Sequence, residues 1–191
     1  MKQSTASMTP PYRSAQTSFP SRGLGWAIRV YELLWHLLLP LVLLMLWRRG
    51  AKEPLYRRFW GERFGGALCT LQRPVWVHSA SMGEMRGAAP WVHALISQGF
   101  PVLITTLTPA GRLTAHKLFA DAMHSGQLQL AYAPMELSWV VRRFLARVRP
   151  RCAVMTEIDT WPVLLATVRR AGVPLAMANA QYPQASFERD Q

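Results

Sequence analysis

From residue 71 onward, short apolar runs rich in β-branched residues alternate with segments whose apolar positions recur every three to four residues. The runs Val75–His78, Val102–Thr106, Leu128–Tyr132, 152–155 and 174–177 read as strands, and 88–97, 112–122, Ser138–Val148 and 162–171 read as helices. Strands separated by helices of this length need crossover connections, which are right-handed and give a mostly parallel sheet. The predicted fold is therefore α/β and doubly wound, with helices on both faces. Ligands of such sheets bind in the crevice outside the carboxyl ends of the strands. Glu84, the turn from Thr108 to Gly111, Glu136, Glu157, Asp159 and Asn179 all fall just past predicted strand ends.

The first 70 residues follow a different pattern. Residues 1–23 are rich in Ser, Thr and Pro with little apolar content and read as a disordered tail. Residues 24–47 are almost wholly apolar, interrupted by Arg29, Glu32 and His36, and read as a membrane-anchor helix. They reach the roughly 20 apolar residues of a spanning helix only if Arg29 and Glu32 pair or snorkel. Pro40 would kink the helix and favour a half-buried, monotopic arrangement, so spanning and monotopic readings both stand, beside that of a buried core helix. No small-residue cleavage pattern follows the apolar stretch, which argues against a signal peptide.

Residues 48–70 form a basic, aromatic, membrane-proximal segment. Arg48, Arg49, Lys52, Arg57, Arg58 and Arg63 follow the apolar stretch, against Lys2, Arg13 and Arg22 before it, which places the residues after it on the cytoplasmic side. With Tyr56, Phe59, Trp60 and Phe64 between the charges, the segment has the composition of a surface lying on anionic headgroups or of a plain stop-transfer flank.

Within the α/β part, residues 71–191, the stretch His78-Ser79-Ala80-Ser81-Met82-Gly83-Glu84 carries the sharpest chemistry. It leads from a strand through a small-residue turn to a carboxylate placed for general-base work or for gripping a substrate, or for interaction with the dipole of the helix that follows. His78 is the one histidine well placed for function. The charge balance, 22 basic against 10 acidic residues for a net +12, invites a nucleic-acid partner, yet no zinc spacing, recognition-helix pattern or RNA-binding aromatic signature is present. All basic residues but Lys2, Lys52 and Lys117 are Arg, whose forked guanidinium suits phosphate. The series Arg142, Arg143, Arg147, Arg149 and Arg151 reads as a solvated helix face or as a ligand site. Glu157 and Asp159 alone do not define a metal site, and the distant Cys69 and Cys152 suggest no disulfide framework.

Four pieces together resemble the amino-terminal domain of the 3-deoxy-D-manno-octulosonic acid (Kdo) transferases. They are the segment from Tyr56 to Gly65, with Gly61-Glu62-Arg63-Phe64-Gly65; Trp76 to Glu84, similar to an H-x-x-S-x-G-E loop; Thr105-Thr106-Leu107-Thr108-Pro109-Ala110-Gly111; and Arg142 to Pro150 with Glu157-Ile158-Asp159-Thr160-Trp161-Pro162 behind it. The resemblance implies a GT-B-type amino-terminal Rossmann-like domain on the acceptor side of a glycosyltransferase that moves Kdo from CMP-Kdo to a lipid A precursor at the inner membrane, without a cofactor or catalytic metal. It implies Glu84 as the base, with Ser81, Gly83, Thr108, Gly111, Glu157, Asp159 and Asn179 around acceptor and substrate. Arg48, Arg49, Arg57 and Arg58 are the membrane-proximal cations.

Departures accompany the resemblance. Asp159 stands where the family usually has Glu, Val163 where Asn commonly follows Trp-Pro, Glu136 where Asp is usual, and Gln181-Tyr182-Pro183 where an Arg-Leu-Ser run is usual. The family binds its nucleotide-sugar donor mainly in a carboxy-terminal domain, which 191 residues do not reach, so the isolated chain is expected to be inactive. The alternative is a non-catalytic, membrane-anchored module that binds an acidic glycolipid or is a remnant.

Overall fold

Alternating runs of Val, Ile and Leu form a five-stranded sheet because only paired strands satisfy their backbone groups while burying both faces. A computed structural model of the chain describes residues 22–156 and 161–178. The strands are β1 (Val75–His78), β2 (Val102–Thr106), β3 (Leu128–Tyr132), β4 (Cys152–Thr156) and β5 (Leu175–Ala178), in spatial order β3-β2-β1-β4-β5 with every pairing parallel. After β3 the chain crosses back to lay β4 beside β1, so the order reverses between β1 and β4. That is the topological switch point, where the crossover helices part to opposite faces and leave a crevice.

The helices are α1 (Arg22–Arg49), α2 (Met82–Ser97), α3 (Pro109–Leu118), α4 (Ala120–His124), α5 (Ser138–Val148) and α6 (Pro162–Arg170). Side-chain alternation divides the core in two. Val75, Val77, Val102 and Ile104 pack against Met85, Val92, Ala115 and Phe119 of the α2–α4 layer. Trp76, Leu103 and Met155 pack against Val141, Phe144, Leu164 and Val168 of the α5–α6 layer. Trp76 has no exposed surface, and its ring lies 4.7 Å from that of Phe144.

Three expectations are corrected. The helix predicted over 112–122 is two helices, because Phe119, turned into the core at 1% exposure, leaves helical geometry at φ −123°, ψ 24°. The first turn of α2 begins at Met82, ahead of the periodic apolar positions, since a Ser81 cap starts it there. The third concerns α1, which runs through Pro40 without interruption and starts at Arg22, inside the stretch read as tail. Glu32 is not paired with Arg29: its Oε1 accepts from the backbone N–H of Ser138 at 2.7 Å, holding α1 to the amino end of α5. Ile28 is buried against Val163 and Ala166 of α6. Along its outer side α1 offers Leu33, Leu34, Leu37, Leu38 and Leu41, with Leu37 at 69% exposure. Among the described residues it is the one helix long and apolar enough to cross a membrane.

Residues between α1 and β1 close the edge strand β3, which otherwise presents unpaired backbone groups. Glu62 accepts from Tyr132 N–H at 2.8 Å and from both terminal nitrogens of Arg112, at 2.6 and 3.3 Å. Thr70 and Gln129 exchange two further bonds, and Met135 N–H donates to Arg63 O at 2.8 Å. Gly65, at φ +72°, lies so close to the Val140 carbonyl that a side chain would not fit.

The Arg112–Glu62 pair is 8% and 18% exposed, so removing one partner strands a mostly desolvated charge. Glu62→Ala is expected to lower the unfolding free energy by about 3 kcal/mol in a denaturant titration of the detergent-solubilised chain. Adding Arg112→Ala should cost far less than its own single effect, because the charge left behind is then gone.

Candidate active site

The switch-point crevice is built from strand ends and helix starts. At the end of β1, Trp76 Nε1–H donates to Thr105 Oγ1 at 2.8 Å, and His78 Nδ1 lies 3.0 Å from the same oxygen, which fixes the indole and imidazole across β2. Beyond them Ser81 caps α2, its Oγ accepting from Glu84 N–H at 3.3 Å. The Glu84 side chain turns back over the loop. Its Oε2 accepts from Ala80 N–H at 2.8 Å and from the Thr156 hydroxyl at 2.9 Å, while Oε1 makes no hydrogen bond among the described residues. Glu84 is mostly buried, at 9% exposure.

Thr156, the last residue of β4, is the residue that sequence reasoning missed. Its Oγ1 lies 2.9 Å from His78 O, 3.1 Å from Ser79 Oγ and 2.9 Å from Glu84 Oε2, joining the two strands across the switch point. The bond to the carboxylate is the charge-assisted one and the stronger. A hydroxyl ending a strand ahead of Glu157 was the available signal, but it acquires meaning only once β4 lies beside β1.

Thr108 and Gly111 are brought to the neighbouring helix start. Thr108 caps α3, its Oγ1 accepting from Gly111 N–H at 3.1 Å, so that N–H is engaged; the Thr108 hydroxyl proton makes no bond among the described residues. Gly111 is demanded by packing, since a Cβ there would collide with Thr106 Oγ1, itself donating to Ala80 O at 3.1 Å. Gly83 differs: a Cβ would meet only Ser81 Oγ at 3.8 Å, so no protein group requires its absence. Glu157, Asp159 and Asn179 lie outside the described residues.

Of the membrane-proximal arginines, Arg48, Arg49 and Arg58 are exposed. Arg57 folds back, donating from Nε to Trp47 O at 2.8 Å with its guanidinium 4.3 Å from the Trp47 ring centre, and so closes the end of α1. Arg63, grouped with the surface cations by its sequence neighbours, is only 4% exposed. It stacks 3.8 Å over Tyr132, whose ring also lies 4.9 Å from the Arg112 guanidinium and 6.2 Å from the Phe59 ring.

Glu136 was placed on the rim by sequence, and its task is structural. Its carboxylate accepts from the first backbone N–H groups of α6, Val163 at 2.6 Å and Leu164 at 3.1 Å, beside the Glu32 that holds α5. Burial pushes its pKa up to about 7, the Val163 and Leu164 bonds pull it down, and Glu32 adds a small upward push.

A five-stranded parallel sheet with helices on both faces and its order reversing between β1 and β4 defines a Rossmann-like α/β domain. Residues 58–191 match the family described as 3-deoxy-D-manno-octulosonic-acid transferase (kdotransferase), and the chain belongs to that family. It is 42% identical over 163 residues to the 3-deoxy-D-manno-octulosonic acid transferase of Bordetella pertussis, covering 83% of this chain and 38% of that protein. It is 30% identical over 156 residues to the Haemophilus influenzae transferase, covering 78% and 35%. A probable mitochondrial transferase of Arabidopsis thaliana is 29% identical over 166 residues, covering 84% and 36%. The chain thus spans little more than a third of the length of these relatives.

The raised pKa of Glu136 has a definite sign. The folded chain binds this proton more readily than the unfolded one, so the contribution to stability is greatest below the unfolded value near 4.5 and is lost as pH rises to about 7. The loss amounts to at most about 3 kcal/mol. Melting temperatures of the parent and of Glu136→Gln between pH 5 and 8 should diverge, the variant showing the flatter profile.

Proposed function

We propose that this chain is the acceptor-side part of a glycosyltransferase that moves Kdo from CMP-Kdo to a lipid A precursor in lipopolysaccharide synthesis, with Glu84 as general base. The supporting observation is the carboxylate itself: Oε2 is anchored by Ala80 and Thr156 while Oε1 is left without a partner among the described residues. A carboxylate held by one oxygen presents the other in a fixed direction. It would take the proton from an acceptor hydroxyl as that oxygen attacks the anomeric carbon and CMP leaves, with inversion at the sugar. General-base assistance of this kind contributes about 10²–10⁴-fold. The open space over Gly83 and the Thr108 hydroxyl suit a sugar brought close to the loop. Glu157, Asp159 and Asn179 are proposed for the opposite lip.

The domain division proposed is a tail, the anchor helix, the basic segment to residue 70 and the acceptor-side domain from 71. The exposed leucines of α1, with Trp26 and Trp47 near its ends, would lie in the inner membrane, and Arg48, Arg49 and Arg58 would face anionic headgroups on the cytoplasmic side. The docking of α1 through Ile28 and Glu32 favours a monotopic arrangement over a spanning one. The chain is expected to sediment with membranes after low-salt lysis, whereas a form lacking residues 1–50 should be released by high salt. Recovery of the intact chain in the soluble fraction would contradict the anchor.

The 191 residues alone are expected to show no transfer, because the remaining two thirds of the relatives' length would contribute the donor wall. Glu84 is therefore tested in a chimera joined to the rest of the Bordetella pertussis relative. Glu84→Gln is expected to keep fold and acceptor binding while lowering turnover by at least about 10²-fold. The Ser81 cap supports a competing reading, in which Glu84 is only a first-turn acid. On that reading the same change costs about 0.3–1 kcal/mol of stability and turnover survives.

A further inference from the structure

Between α1 and the carboxyl rim of the sheet lies a half-open cavity of about 240 Å³. Its walls are mostly apolar: Trp35, Val42 and Leu46 from α1 face Met135, Trp161 and Leu164 from the domain. Glu84 is not among its lining residues. Two arginines are, Arg49 on the last turn of α1 and the buried Arg63. A guanidinium carries five N–H donors and no acceptor. In Arg63 the two terminal nitrogens share one carbonyl, Leu107 O, at 3.4 and 3.5 Å, and Nε has no hydrogen-bond partner among the described residues. Its sequence neighbour Glu62 is committed to Arg112, in the one ion pair of the described residues. The carboxyl lining the same cavity, Glu136, is turned to the start of α6.

A cation taken almost wholly out of water is costly, and neither stacking on Tyr132 nor the field of Glu62, itself bonded to Arg112, offsets the whole of that cost. An anion seated beside Arg63 would offset the remainder. Its companion is apolar, because the end of the cavity formed by Trp35, Val42, Leu46, Met135 and Leu164 is hydrocarbon and aromatic rings that gain nothing from an ion. The free Nε edge of Arg63 suits the oxygens of a phosphate. We propose that this cavity seats one acidic lipid, its phosphate held by Arg63 with Arg49 alongside and its hydrocarbon lying against α1. The inference takes from the proposed function only the placement of α1 against a membrane.

The test is binding, read without donor or sugar transfer, so it is independent of the fate of Glu84. The purified full chain in maltoside micelles is titrated with dodecyl phosphate, following the melting temperature and, by native mass spectrometry, the stoichiometry. A saturable one-to-one complex with a raised melting temperature is expected, at least tenfold weaker in Arg63→Gln. Val42→Trp, which fills the apolar end and leaves the arginine in place, should weaken it similarly and decides the matter if the arginine variant fails to fold. An equal shift from inorganic phosphate would show a free-anion site, and an equal shift from dodecanol a plain apolar cleft. Either result overturns the proposal, as would unchanged binding in a folded Arg63→Gln or in Val42→Trp.

Discussion

The parallel pairing of β1 with β4, Val75 beside Cys152 through His78 beside Met155, is the constraint on which the rest of the molecule depends. It sends α2 and α6 to opposite faces and opens the crevice between their starts. It also brings Thr156 within reach of a carboxylate 72 positions earlier in the chain. A shift of one residue in that register would turn Trp76 and His78 to the other face and part the hydroxyl from Glu84.

Around the crevice the same device recurs, an acid on a helix start, buried at Glu84 and Glu136. Glu84 reaches back over its own α2, Glu136 caps α6, and Glu32 of α1 caps α5. The unpaired N–H groups of a helix start and its partial positive charge explain why acids collect there. Glu84 differs from Glu136 in the number of oxygens committed, as does Glu32, whose Oε1 alone accepts, from Ser138 N–H. Glu136 uses both on backbone donors, whereas Glu84 uses one.

Strand and helix positions were legible in the sequence because each depends on local periodicity. β1, β2, β3 and α5 begin and end where the alternation places them. The Ser81-to-Glu84 and Thr108-to-Gly111 turns were also visible, being three-residue patterns with a local mechanism. Pairings that join distant segments were not. Glu62 with Arg112, Glu32 with Ser138 and Glu136 with α6 span 50, 106 and 27 positions, and nothing near any of these residues announces its partner. Arg63 shows the cost of reasoning from neighbours: set among exposed cations in the sequence, it is one of the few charged side chains inside the protein.

The docking of α1 has a consequence for the lipid environment. Its buried residues Ile28 and Leu46 are 18 positions apart, roughly 27 Å of helix at 1.5 Å per residue, so α1 lies along the domain instead of projecting from it. A spanning helix must match its apolar length to the bilayer, and mismatch sorts such proteins among membranes of different thickness. In the proposed membrane placement, a helix held lengthwise against its own domain would be free of that requirement: it would respond to how tightly one leaflet's surface is packed, and bilayer thickness would drop out of its energetics.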